Sequence, residues 1–465
     1  MSRPYTLPLI IACALFMENM DATIIATSLP VIARDLGESP IALKLALTSY
    51  YVSLAVCLPA SSWMADRFGS RTVFCWAIAV FMLGSALCGL SQQLDAFVAA
   101  RFLQGMGGAM MMPVGRLVLL KTVDKRDLVQ ALSWLTFPAL LGPVIGPPLG
   151  GFITTHFDWR WIFFVNLPIG LVGSVLAARL VPNIREAHPV PLDGWGLVLL
   201  GSGLSLLMLG LSTAGQHLLR WQTSAACALI GLALLGLYWR HARHRPHPAL
   251  NWRFLDVPTY RAGVLGGWMF RIGVGATPFL MPLMLQLGFG LSPVTSGLLT
   301  CTSAAAAMFM KTLSTRILRR FGFRAVLCAN VLIAAGTIAC YGLFTPMTPL
   351  LAMALVLFTG GFFRSLQFTA LNALVYADID RSVMGPASTL PNVAQQLALS
   401  AGVTLSAYVL QATATLRGHA LPEAGDFGVA FVVVGLCSAS SYVWMRRLAP
   451  DAGAELAGRP ASSPR

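Results

Sequence analysis

Apolar segments long enough to cross a lipid bilayer recur along the whole chain. A helix needs about 20 predominantly apolar residues to span roughly 30 Å of hydrocarbon, where no water is present to bond an open backbone. About fourteen segments of this length occur, near residues 7–32, 43–64, 72–91, 95–119, 129–151, 160–181, 194–213, 222–240, 260–286, 292–312, 324–344, 349–373, 385–411 and 426–446. The sequence therefore predicts an all-α polytopic membrane protein with about fourteen spans.

The composition agrees with this prediction. Hydrophobic residues make up 56% of the 465 positions and charged residues only 11%, and the mean hydropathy of +0.72 lies outside the usual range of soluble domains. The first apolar segment is too long for a secretory signal and carries acids, so we interpret it as a retained first span. The nine cysteines lie in or beside apolar segments, which predicts neither a disulfide framework nor a zinc site.

The net charge of +14 comes mostly from basic residues in short loops on one predicted side of the membrane. These loop residues are Arg67, Arg71, Lys121, Lys125, Arg126, Arg240, Arg243, Arg245, Arg253, Arg316, Arg319, Arg320, Arg324, Arg446 and Arg447. Short cytoplasmic loops carry the excess of Lys and Arg, so this distribution predicts that both termini are cytoplasmic. It favours contact with anionic lipid over nucleic-acid binding.

Two short sequences occur twice, about 250 residues apart. Arg67-Phe68-Gly69-Ser70-Arg71 returns as Arg320-Phe321-Gly322-Phe323-Arg324, and Arg101-Phe102-Leu103-Gln104 returns as Arg364-Ser365-Leu366-Gln367. Repeats of this kind indicate two six-helix halves. We expect a first half at 1–185, two additional spans with a cytoplasmic linker at 186–255, a second half at 256–448 and a disordered tail at 449–465.

Three motifs together resemble those of the major facilitator superfamily, in particular its fourteen-span drug/proton antiporter branch. They are residues 65–71 (ADRFGSR) between spans two and three, 101–105 (RFLQG) in span four and 142–151 (GPVIGPPLGG) in span five. The resemblance implies two pseudo-symmetric six-helix halves with two extra helices between them. It also implies a monomeric secondary transporter of the bacterial cytoplasmic (inner) membrane.

The first motif is expected to act as a conformational latch. Its residues are Asp66, Arg67, Gly69 and Arg71. Gly69 allows a tight turn between two antiparallel helices, and Asp66 can cap a neighbouring helix N terminus. Ser62 and Ser70 stand where the family usually has Gly and a basic residue, which predicts a weaker latch.

The motif in span five is associated with export in the family that it resembles. It supplies Gly142, Pro143, Gly146, Pro147, Gly150 and Gly151. Glycine removes side chains and proline removes backbone hydrogen bonds, so the motif predicts a bent helix that packs closely where the two halves meet.

Glu18 and Asp21 are the only acids predicted to lie deep in a span. A charged side chain near the bilayer centre costs about 3 kcal/mol or more, so such residues usually face a cavity or a charged partner and mark ion or substrate paths. Spaced i, i+3, the two carboxyls share one helical face and are expected to titrate as a coupled pair. Asp21 matches the acid that the family carries in span one. Glu18 matches no motif, and its expected role is a second proton site, an arginine partner or a substrate contact.

Three arginines are also predicted within spans. Arg101 matches the family's span-four arginine, which the resemblance implicates in proton coupling. We group it with Asp21 and Glu18 as the predicted proton-coupling residues. Arg271 holds in the second half nearly the position of Glu18 in the first, which suggests a pair between Arg271 and either Glu18 or Asp21. The predicted substrate cavity contains Gln104, Arg271, Arg364, Gln367 and Asn392.

We therefore expect a proton-coupled antiporter that exports amphiphilic drugs or toxic metabolites by alternating access, driven by the proton gradient without a cofactor or a metal. An alternative with the same fold is an exporter of an organic anion, metal chelate or siderophore-like acid, because three arginines against two acids make the cavity net positive. An enzyme is disfavoured, since the sequence has no metal-ligand cluster and no Gly-Lys pair of a phosphate-binding loop. A channel is disfavoured because repeated, kinked halves suit alternating access.

Overall fold

The computed structural model describes residues 3–123, 128–186, 191–214, 220–380, 383–419 and 421–456. Within these ranges the regular structure is helical, and fourteen helices are long and apolar enough to cross a membrane. They are α1 (Thr6–Asp35), α2 (Lys44–Phe68), α3 (Ser70–Leu90), α4 (Leu94–Thr122), α5 (Ser133–His156), α6 (Trp161–Leu180), α7 (Gly194–Thr213), α8 (Trp221–Arg243), α9 (Pro258–Gly288), α10 (Pro293–Phe321), α11 (Phe323–Leu343), α12 (Leu350–Leu374), α13 (Met384–Leu416) and α14 (Ala424–Met445). The predicted all-α fold with fourteen spans is confirmed.

Several helices continue past the apolar segments that revealed them. Helix α10, predicted at 292–312, extends to Phe321, and its last turns carry Arg316, Arg319 and Arg320. Hydropathy marks only the part of a helix that lies in hydrocarbon, whereas the hydrogen-bonded helix can continue into water with polar side chains. The ends of the spans therefore differ from the ends of the helices by up to about two turns.

The internal repeat is visible in the packing of the helices. Helix α1 packs against α5 and α6, and α4 packs against α2 and α3. The second set repeats these pairs, with α9 against α13 and α14, and α12 against α10 and α11. The α2–α3 turn and the α10–α11 turn are both made by a glycine with positive φ, Gly69 at 98° and Gly322 at 80°, a conformation that suits a residue without a Cβ.

The chain forms two compact units, residues 1–249 and residues 250–465. The two additional helices, α7 and α8, belong to the first unit, where α7 packs against both α2 and α8. This grouping differs from the separate segment expected at 186–255. Helix α8 presents most of its side chains to the surroundings, which suits a helix that faces lipid.

The end of the chain differs from the expected disordered tail. Residues 449–456 form turns in which Ala452 is buried and Gly453, with φ 71°, lies against the ring of Phe323. The buried Ala452 and the positive φ of Gly453 let this short segment pack against the second unit. The Ala/Gly composition of the segment did not predict this packing. Residues 457–465 lie outside the described part of the chain.

Candidate functional site

Asp21 lies near the middle of α1 and is fully buried in an ion pair with Arg101 of α4. The Arg101 Nη1 atom donates to Asp21 Oδ2 at 2.7 Å, while Gln104 Nε2 and Asn166 Nδ2 each donate to Asp21 Oδ1 at 2.8 Å. All of these side chains are 0% exposed. Three donors from two other helices therefore surround one buried carboxylate, and its charge is balanced by one guanidinium.

Gln104 and Ser85 connect the donors to one another. Arg101 and Gln104 are three residues apart and share one face of α4, where Arg101 Nη1 also donates to Gln104 Oε1 at 2.5 Å. Ser85 Oγ of α3 accepts from Gln104 Nε2 at 2.7 Å and from Asn166 Nδ2 at 3.1 Å. The network thus joins α1, α3, α4 and α6, and each bond limits how far one helix can move without breaking another.

The rest of the Arg101 guanidinium is held by aromatic rings. Its Cζ lies 4.4 Å from the centre of the Tyr50 ring and 5.9 Å from that of Phe163. The Nε and Nη2 atoms are buried and have no hydrogen-bond partner among the described residues. Cation–π contact therefore replaces part of the hydration that Arg101 loses on burial.

Glu18, one turn before Asp21, is in a different environment. It is half-buried, and its Oε2 atom is buried without a hydrogen-bond donor among the described residues, as is the Tyr50 hydroxyl. The two groups border the same space beside Gly108: a Cβ added to that glycine would lie 3.2 Å from Tyr50 Oη and 3.7 Å from Glu18 Cγ. The structure separates the two acids, with Asp21 fully bonded and Glu18 not.

The glycines of the span-five motif form a smooth ridge against α1. A Cβ on Gly142 would lie 2.8 Å from the backbone N of Met20, and one on Gly146 or Gly150 would collide with Thr23 or with the carbonyl of Ile24. Glycine every fourth residue lets two backbones approach closely. The expected close packing thus occurs with the helix that carries both acids, inside the first unit.

Prolines weaken the hydrogen bonding of the same helix. Pro143, Pro147 and Pro148 of the motif, and Pro138 before it, lie inside the helix Leu128–His156, and each removes a backbone donor. The Pro147 carbonyl accepts from Thr27 Oγ1 of α1 at 3.4 Å. Gly151 is buried on α5. The motif therefore combines a tight glycine contact with a weakened hydrogen-bond ladder.

The loop of the first motif, residues 65–71 between α2 and α3, is here called the signature loop. It contacts residues 182–186, which follow α6. Ser70 donates its backbone N–H to the Ile184 carbonyl at 2.9 Å, and its hydroxyl bonds to the Pro182 carbonyl at 3.2 Å and the Ile184 N–H at 3.1 Å. Ser70 is 1% exposed. Ser70 thus ties the loop to this segment, and the weaker latch stays a prediction.

The charged residues of the loop have separate surroundings. Asp66 Oδ1 accepts from the Lys121 ammonium of α4 at 3.3 Å, and the same ammonium donates to Glu186 at 2.9 Å. The described partner of the Asp66 side chain is therefore a lysine rather than a helix N terminus. Arg71 Nη1 lies 3.5 Å from the Ala178 carbonyl, and Arg67 is exposed. No local sequence pattern identifies Lys121 as the partner of Asp66, because the two residues are 55 positions apart.

In the second unit the repeated Arg-x-x-Gln motif is bonded without an acid. Gln367 is fully buried and accepts from Asn330 Nδ2 at 2.9 Å, while Arg364 donates to Ser303 Oγ at 2.9 Å. This arrangement resembles the Gln104–Ser85 contact, because Asn330 lies on α11, the repeat of α3. The position that Asp21 fills in the first unit has no acidic counterpart in this network among the described bonds.

Arg271 is 2% exposed and donates to Asn372 Oδ1 at 2.6 Å, with its guanidinium 5.0 Å from the centre of the Phe368 ring. Asp21 forms an ion pair with Arg101, and the hypothesised pair between Arg271 and either Glu18 or Asp21 stays a prediction. Asn392 is half-buried on α13. Ser85, Asn166 and Tyr50 were not predicted as site residues, since a serine, an asparagine or a tyrosine in an apolar span has no distinctive sequence signal.

Two repeated six-helix sets of membrane-length helices, with a charge pair buried among them, define a polytopic membrane transporter built from internal repeats. The chain belongs to the Major Facilitator Superfamily, whose sequence profile matches residues 11–403. It is therefore a transporter of small molecules and not an enzyme. The resemblance identified from the motifs is confirmed.

Similar sequences carry the provisional name multidrug resistance protein MdtD. The protein of Pectobacterium atrosepticum (strain SCRI 1043) is 38% identical over 403 residues, which cover 86% of each chain. That of Salmonella typhimurium (strain LT2) is 38% identical over 406 residues, covering 86% of this chain and 85% of its own.

Solved structures share the fold at low sequence identity. A D-xylose–proton symporter superimposes with a TM-score of 0.70 at 15% identity, covering 97% of this chain and 99% of its own. The human organic anion transporter MFSD10 (TETRAN) gives a TM-score of 0.62 at 13% identity, covering 96% of this chain and 100% of its own. At these identities the comparison establishes the fold alone.

Proposed function

We propose that this protein is a proton-coupled antiporter that exports amphiphilic drugs or toxic metabolites across the bacterial cytoplasmic membrane by alternating access. The proposal includes a monomer with both termini in the cytoplasm, in accord with the basic loops, and a proton gradient as the driving force without a cofactor. Proton exchange is assigned to the region of Glu18, Asp21 and Arg101. The name of the similar MdtD proteins favours drug export over export of an organic anion.

The buried Asp21–Arg101 network carries this proposal. Ionised groups within the membrane are costly and are usually retained where an ion or a substrate moves. Here the ion pair joins four helices of the first unit and lies on the helix that the glycine ridge of α5 contacts. A change of charge beside this network would alter the packing of several helices together, which is what coupling of a proton to alternating access requires.

The test uses everted membrane vesicles with an acidic interior and a fluorescent pH probe. Addition of ethidium, a lipophilic cation, should release protons from vesicles that contain the transporter, and Asp21→Asn should abolish the release. Asp95→Asn, which changes an exposed acid at the start of α4, is the matched control. Carboxyfluorescein, an amphiphilic anion, is tested in parallel. If neither compound moved protons, the proposal would fail. A response to carboxyfluorescein alone would reject drug export and favour the alternative, an exporter of an organic anion.

A further inference from the structure

Asp21 is the acid that the sequence resemblance selects for proton exchange, but both of its oxygens are already engaged by hydrogen-bond donors. Each of its oxygens faces hydrogen-bond donors, with Arg101 on Oδ2 and both Gln104 and Asn166 on Oδ1. These three donors take three of the about four lone-pair positions of the carboxylate, and its negative charge is the counter-charge of the buried Arg101 guanidinium. The geometry therefore suits a carboxylate that holds its neighbours in place.

Glu18 has the complementary properties. Its Oε2 atom is buried and no described residue donates to it, so a proton can be added there without displacing a bond. The side chain as a whole is half-buried, whereas Asp21 is 0% exposed. The Tyr50 hydroxyl, also without a partner among the described residues, borders the same space beside Gly108 and is a group that can donate to a carboxylate.

We infer that Glu18 exchanges the transported proton, and that Asp21 is a positioning residue that holds Arg101 in place. The inference rests on the proposed proton coupling. Protonation forms one O–H bond on a Glu18 carboxylate oxygen, with the proton taken from water on one side of the membrane, and neutralises one negative charge. Release breaks that bond and returns the proton to water on the other side.

The charged and titratable groups around Glu18 come from three helices. Asp21 lies three residues further along α1, Tyr50 approaches from α2, and the Arg101 Cζ atom of α4 lies 4.4 Å from the centre of the Tyr50 ring. Helix α5 presents the glycines of its motif to this part of α1 and contributes no charge there. Tyr50 thus contacts Arg101 through its ring and borders the same space as Glu18 through its hydroxyl, so it can transmit a change at Glu18 to Arg101.

The test measures protons released when tetraphenylphosphonium binds to the purified full-length protein in a weakly buffered solution. Wild type should release protons, Glu18→Gln should lose the release, and Glu18→Asp should restore it at a shifted pH. Tyr50→Phe should shift the pH at which release is half-maximal. Glu38→Gln, a glutamate near the end of α1 without a described side-chain bond, is the matched control and should behave as wild type.

A second measurement needs no ligand. Infrared difference spectra between high and low pH should contain a protonated-carboxyl band that is lost in Glu18→Gln and retained in Glu38→Gln. Proton release and the carboxyl band both persisting in Glu18→Gln would overturn the inference while leaving proton coupling intact. Absence of proton release from the wild type would instead reject the proposed function.

Discussion

Replacing Asp21 with asparagine should destabilise the first unit strongly, because it leaves the Arg101 guanidinium buried without a counter-charge. In the wild-type protein three donors share the two oxygens of the Asp21 carboxylate. An asparagine offers only one oxygen, and its amide group would face at least one of these donors. The variant therefore loses an ion pair and gains a donor–donor contact in a site that is 0% exposed.

The size of the effect follows from these losses. Removal of one partner from a buried ion pair costs about 3–5 kcal/mol, most of it from the stranded charge. A second change, Arg101→Gln, removes that charge, so the double variant should be about 1–3 kcal/mol more stable than the sum of the two single effects implies. Asp95→Asn, at an exposed position in the first turn of α4, should cost less than about 1 kcal/mol.

The free energy of unfolding can be measured for the purified protein in mixed micelles, by following helix content as the mole fraction of denaturing detergent increases. The four variants of the cycle and the Asp95→Asn control are compared under one set of conditions. The reasoning would be refuted if Asp21→Asn were as stable as the control. It would also be refuted if the Asp21→Asn and Arg101→Gln effects were strictly additive, since the two groups would then not interact.

Four further changes test the packing and the loop. Gly146→Ala should destabilise the protein by about 1–3 kcal/mol in the same unfolding assay, because the added methyl collides with α1, whereas Gly236→Ala, which meets open space, should be neutral or stabilising. Ser70→Arg restores the family's usual basic residue but should lower the thermal stability, since the serine is buried and bonded. Ser62→Gly, at the other departure from the pattern, lies on an exposed position and should cost no more than about 1 kcal/mol. Lys121→Ala should cost less than about 1 kcal/mol because its ion pairs are solvent-accessible, and a larger loss would show that the signature loop depends on them.

The sequence alone was sufficient for the fold and for the location of the charges along the chain. Fourteen spans, the glycine turns at 69 and 322, and the acids within the first span follow from local properties, namely apolar length, backbone freedom and the cost of charge in lipid. The glycine spacing of span five predicted a closely packed helix, and the structure supplied its partner, α1. These features could be predicted because each is determined by residues that are close together in the chain.

The tertiary structure decided which side chains meet. Asp21 bonds to residues 80, 83 and 145 positions away, and no local pattern specifies such contacts. Glu18 and Asp21 are three residues apart and were nearly equivalent by sequence, yet one is surrounded by donors and the other has a buried oxygen without any. The difference arises because a helix presents each position to different neighbours, so the chemistry of a buried acid depends on the faces of the helices packed around it.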